Sequence, residues 1–196
     1  MNKYYLELPE NYKLDKTIDI KKISTNIFLN VLNILFVIIS FFILIPLKFN
    51  EIKLDDIKEL PIIMIIALVG FIIYIILHEL THGLFYKIFT KQKLTYGFSL
   101  TYAYCGVPNI YVRKKEAIIA CLAPLVIFSI IFLSLIIILP PNYITLSIIT
   151  LFSFHFGGCS GDIYLSLILL TKYKKDIYIK DTGPTQYIYK KGDLLL

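Results

Sequence analysis

Charge is what this chain lacks most. Of its 196 residues, 17% are Asp, Glu, Lys or Arg and 57% are hydrophobic, and the mean hydropathy is +0.73. That balance excludes a soluble domain of this length and places the chain in the integral-membrane class. Cysteine is sparse too. Cys105, Cys121 and Cys159 are odd in number and show no CxxC spacing. They argue against a disulfide framework and against a thiolate zinc site, and they leave Cys121 and Cys159 as small buried hydrophobes. The chain has no internal repeat, no low-complexity linker and no small-residue cleavage pattern at its first apolar run, which therefore reads as a span and not as a removable signal peptide. A net charge of +6 without a soluble domain to carry it excludes a nucleic-acid partner.

Long apolar runs are what the chain has instead. Four reach the roughly 20 residues that cross a bilayer: Ile27–Leu47, Pro61–Phe89, Glu116–Leu139 and Tyr143–Leu170. The expected fold class is all-α integral membrane, with about four transmembrane helices and short cytoplasmic β-hairpins after helix 2 and at the C-terminus. Lys and Arg number five in the N-terminal segment, six between spans two and three and six in the tail, against three in the first loop. The positive-inside rule then puts both termini in the cytoplasm of a multi-pass cell-membrane protein. The expected organisation is a cytoplasmic segment over residues 1–26, a transmembrane metallopeptidase-like domain over 27–170 and a cytoplasmic β-rich tail over 171–196.

From Leu94 to Cys105 apolar and small or polar residues alternate, which predicts a strand with one aromatic face. Pro108-Asn109 supplies a turn, and Ile110–Val112 is expected to return beside it. That hairpin fits an interfacial aromatic belt or an edge strand that takes an extended peptide. In the tail, two β-rich runs flank Asp181-Thr182-Gly183-Pro184 and predict a second hairpin. Asp181-Thr182-Gly183 also has the form of an aspartic-protease motif, but that chemistry needs two such carboxylates. A turn accounts for it.

The chemistry is concentrated in the second span. His78-Glu79-Leu80-Thr81-His82 places two imidazoles one turn apart on one helix face, where both reach a single metal ion. Ionisable groups in hydrocarbon are costly and mark function. Glu79, beside a ligand but angled off it, is placed as general base toward water that Zn2+ acidifies. A catalytic zinc needs a third protein ligand, and the fourth span offers His155 and Asp162. At about 1.5 Å per residue, Asp162 lies about 28 Å from Tyr143, level with His78 at about 26 Å from Pro61, while His155 falls about 10 Å short. Asp162 is the favoured third ligand. His155 is then a candidate oxyanion donor, or an alternative ligand if Gly157, Gly158 and Gly161 unwind the helix. Pro124 is expected to kink the third span.

These residues resemble a family of small bacterial and archaeal membrane proteins classed as zincin peptidases. The carriers are His78–Phe89, Tyr102–Tyr104, Arg113, Ala123-Pro124, Ser160–Tyr164 and Asp181–Gly183. The layout is more distantly similar to the site-2 intramembrane metalloproteases, whose HExxH helix is joined by an aspartate from a later helix. The resemblance implies His78, His82 and Asp162 as zinc ligands and Glu79 as base. It departs from the site-2 pattern in having Ser160-Gly161 before the aspartate. The function expected is hydrolysis of membrane-anchored protein or peptide substrates within the bilayer. The alternatives are a membrane metal carrier or sensor, or a non-catalytic scaffold.

Overall fold

The computed structural model describes residues 4–49, 60–99, 101–173 and 176–192. The charged first loop expected between Phe49 and Leu60 lies outside these residues except at its ends. Five helices are described: α1 (Ile23–Lys48), α2 (Leu60–Thr90), α3 (Lys114–Ile138), α4 (Tyr143–Gly158) and α5 (Ser160–Thr171). Their limits fall within four residues of the apolar runs, because a long run of apolar residues can hide its backbone only as helix. Ends follow local chemistry. The Asn142 side chain accepts the Thr145 N–H at 3.1 Å and starts α4. Lys91, with φ of 55°, turns the chain left-handed and stops α2. The fourth run is broken at Cys159, so Asp162 enters the first turn of a new helix, where a carboxylate is favoured. Three helices are long and apolar enough to cross a membrane, or four when α4 and α5 count as one bent span.

The strands correct the all-α expectation. Besides the helices there are β1 (Tyr4–Tyr5), β2 (Tyr12–Asp19), β3 (Thr95–Phe98), β4 (Ala103–Gly106), β5 (Tyr111–Arg113), β6 (Ile177–Asp181) and β7 (Thr185–Lys191). Five form one antiparallel sheet in the order β1-β5-β6-β7-β2. The β6–β7 hairpin appears as expected, but it does not stand alone. A lone two-stranded ribbon is marginal in water, and here the N-terminal segment and β5 extend it on both sides.

The single long strand after α2 is corrected as well. β3 pairs with β4, from Thr95 opposite Gly106 to Phe98 opposite Ala103, and the Ser99 N–H to Tyr102 carbonyl bond closes the turn at 2.7 Å. The reversal falls inside the alternating run. Because Tyr96 stands opposite Cys105 and Gly97 opposite Tyr104, the expected aromatic face divides: Tyr96 and Phe98 lie on one face and Tyr104 on the other. Ile110–Val112 does not return beside this pair, since β5 bonds to β1 and β6.

The chain falls into two compact units of discontinuous sequence. One comprises residues 1–28, 78–123 and 162–196, the other 29–77 and 124–161. In the first, the inward face of the sheet supplies Val112, Ile179 and Ile188, which pack with Tyr86 of α2, Ala117 and Ala120 of α3 and Leu169 of α5. Each fully buried branched side chain there contributes about 1.5–3 kcal/mol. In the second, Ile136, Ile149 and Phe152 form a core with Phe41, Leu44, Phe132 and Phe156 around it.

Candidate metal centre

Helix α2 wears its polarity on the inside. His78, His82 and Tyr86, four residues apart in succession, are 7%, 8% and 3% exposed, while Leu80, Leu84 and Ile88 stand 48%, 56% and 55% exposed. A water-soluble helix has the reverse pattern. Small Gly83 lies on the buried face, where a methyl group would collide with the Tyr96 hydroxyl. The β3–β4 hairpin therefore rests directly on the turn that follows His82.

Three donor side chains converge in the first unit. His78 Nε2 and His82 Nε2 are 3.0 Å apart, Asp162 Oδ2 is 3.3 Å from His78 Nε2 and Asp162 Oδ1 is 3.5 Å from His82 Nε2. A tetrahedral zinc with bonds of about 2.0–2.1 Å has ligand–ligand edges of about 3.3–3.4 Å. The donor set and its spacing fit that ion. The first turn of α5 thus brings Asp162 to the imidazole pair.

The surroundings orient these groups. His82 Nδ1 donates to the Ala120 carbonyl at 2.8 Å. With that proton fixed, the neutral ring carries its lone pair at Nε2, toward the other donors. The Cys121 thiol donates to the Asp162 carboxylate at 3.5 Å and to the Asp162 carbonyl at 3.4 Å. Two consecutive residues of α3 thereby hold one histidine and the aspartate. Glu79 is half-buried, and the ionisable groups around it are His82, Asp162 and Asp181.

Asp181 completes this neighbourhood. It is buried at the mouth of the β6–β7 turn and accepts from the Tyr86 hydroxyl at 2.7 Å and the Gly183 N–H at 2.8 Å. Burial pushes its carboxyl above the ordinary range, and those two donors oppose the rise. Its carbonyl accepts the Val107 N–H at 2.8 Å, tying the turn to the end of β4. Gly183, at φ of 93°, takes the left-handed conformation this turn needs. The nearby Cys105 thiol is pushed up to about 12, first by burial and then by Asp181 and Glu79, so it stays protonated at neutral pH.

His155 belongs to the second unit and is fully buried there. Its Nδ1 bonds the Tyr74 hydroxyl at 2.8 Å and its Nε2 the Ser129 hydroxyl at 3.0 Å, amid the rings of Phe128, Phe132 and Phe152.

Sequence reasoning missed Tyr86, Asp181, Cys121 and the Ala120 carbonyl. Tyr86 was findable, being one further helical step along the His78–His82 face. Asp181 was read as a turn residue, which it is, but its second role depends on a contact 95 residues away in sequence.

Residues 71–178 match the family described as "Putative zincin peptidase". No curated protein and no solved structure gives a match.

Proposed function

The chain belongs to the Putative zincin peptidase family, and on that premise we propose that it is a membrane-embedded zinc metallopeptidase acting on membrane-anchored proteins or peptides. His78, His82 and Asp162 would hold the zinc. The observation that carries this reading is the convergence of these three side chains, with donor atoms 3.0–3.5 Å apart, in one cluster. When bound, zinc supplies Lewis-acid activation of water at neutral pH. Glu79 is the general base. It takes a proton from the attacking water as the oxygen bonds to the peptide carbonyl carbon, and returns it to the nitrogen as the C–N bond breaks. Its position about 100° around the helix from His78 leaves it beside the ligands without joining them.

The inside-out pattern of α2 and the apolar spans support insertion in a lipid bilayer. The distribution of Lys and Arg supports cytoplasmic termini and cleavage near the cytoplasmic leaflet. β3 bonds only to β4 among the described strands, so its outer edge can accept an extended segment of substrate by strand addition. Phe98 on that strand is 74% exposed.

The test uses the full chain in membranes with a co-expressed, membrane-anchored protein as substrate. Glu79→Gln should keep stoichiometric zinc and lose cleavage by at least about 100-fold. Unchanged turnover in that variant overturns the mechanism. Zinc uptake into proteoliposomes that is lost in His78→Ala but kept in Glu79→Gln would identify a carrier instead. Wild-type protein purified without zinc would leave the cluster as a polar scaffold between helices.

A further inference from the structure

Helix α3 contains Pro124 in its interior, fully buried. Proline has no N–H, so it cannot give the usual bond to the carbonyl four residues before it, and its ring pushes that carbonyl aside. Four residues before Pro124 is Ala120. The Ala120 carbonyl is the one that accepts the His82 Nδ1–H, at 2.8 Å, in a fully buried position.

We propose that Pro124 is a positioning residue for the metal site: by withholding an N–H from Ala120 it frees the carbonyl that fixes the His82 tautomer. A residue with an N–H at 124 would claim the same carbonyl for the helix. His82 would then face a shared acceptor, and the proton could move to Nε2, where it blocks metal binding. The freed acceptor is the use of the proline. Placement matters: proline one residue earlier or later would free a carbonyl that points elsewhere, because successive carbonyls turn by about 100° around the axis. This inference rests on the proposal that His82 binds metal through Nε2, yet its first readout needs no metal.

The experiment compares wild type, Pro124→Ala and a form carrying the α-hydroxy analogue of alanine at position 124, all in the full chain. The analogue forms an ester, so it lacks both the N–H and the ring. Nitrogen-15 spectra of the metal-free protein, taken at alkaline pH where the ring is neutral, report which nitrogen of His82 carries the proton, and chelator competition reports zinc affinity. Wild type should show the proton on Nδ1. Pro124→Ala should shift population toward Nε2–H and bind zinc about 10–100-fold more weakly, the usual effect of losing a ligand's outer partner. The ester should restore both values. A wild-type tautomer in Pro124→Ala, or an ester that behaves like Pro124→Ala, overturns the proposal. If Pro124→Ala fails to fold, the ester decides the matter, since it must match wild type. Failure of wild type to bind zinc while the tautomer shift appears would defeat the metallopeptidase reading and the metal-site role of Pro124, and leave standing only its control of the His82 tautomer.

Discussion

Tyr86 shows how one hydroxyl ties sequence-distant parts of the first unit together. It sits one helical step beyond His82, is 3% exposed, and donates to Asp181 at 2.7 Å. Removing it leaves a buried carboxylate oxygen without its nearest side-chain donor. Tyr86→Phe keeps the ring and its packing, so its cost isolates the bond at about 1–3 kcal/mol. The expected result is a lower unfolding midpoint in detergent with zinc stoichiometry unchanged. A midpoint equal to wild type would mean that water or a shifted Gln186, whose amide lies 3.5 Å from the same carboxylate, takes over. At this scale the sequence was informative where chemistry is local. HELTH puts two imidazoles on one helix face from five adjacent letters, and helical rise sets Asp162 level with them. It was silent where a side chain's role is set by a partner folded against it, as for Asp181, or by a backbone group, as for Ala120.

The strands show the same division. Helix limits were legible because an apolar run longer than 20 residues admits one solution in lipid. Strand partners were not, because period two says which face a residue takes and nothing about which strand lies alongside. The run from Leu94 to Cys105 kept its alternation through a reversal, so the pattern concealed the turn. β2 alternates Tyr12, Leu14 and Ile18 with polar residues, but Lys16 interrupts the pattern in a segment dense in charge. Its place in the sheet is secured at a bulge between Leu14 and Lys16. There Asp15 accepts from Lys190 Nζ at 2.7 Å and the Tyr173 hydroxyl at 2.6 Å. Those two bonds, Lys190 first, hold the Asp15 carboxyl below its ordinary value. A lowered folded-state value means stability that is present above the unfolded value of about 3.9 and disappears as pH falls through the folded one. Asp15→Asn should therefore be less stable than wild type at neutral pH, by no more than about 1 kcal/mol for a partly exposed pair. The difference should close as acid protonates the carboxylate. Thermal midpoints of both proteins measured from neutral to acid pH test this, and a gap that persists or widens in acid would assign the effect to packing.

For the whole molecule, the exposed apolar face of α2 and its buried polar face fit the proposed setting in a bilayer, with lipid against the first and the metal site against the second. That arrangement has a direction. HELTH lies in the C-terminal half of α2, and the segment that follows it carries Lys87, Lys91 and Lys93. Sheet strands β5, β6 and β7 arise from the stretches after α2 and after α5, which are also the lysine-rich ones. By contrast the α3–α4 connection, Pro140-Pro141-Asn142, carries no cation. On the proposed orientation, the positive-inside rule predicts the sheet strands and the site on the cytoplasmic side and Asn142 on the other. Single cysteines introduced by Asn142→Cys and Lys190→Cys read this out in intact cells, since the three native thiols are buried and react slowly. An impermeant maleimide should label Asn142→Cys at once and Lys190→Cys only after permeabilisation. The opposite order would place the candidate metal centre near the outer leaflet and exclude cleavage at the cytoplasmic side. Labelling of both in intact cells would deny that α4 and α5 together make one crossing of the bilayer.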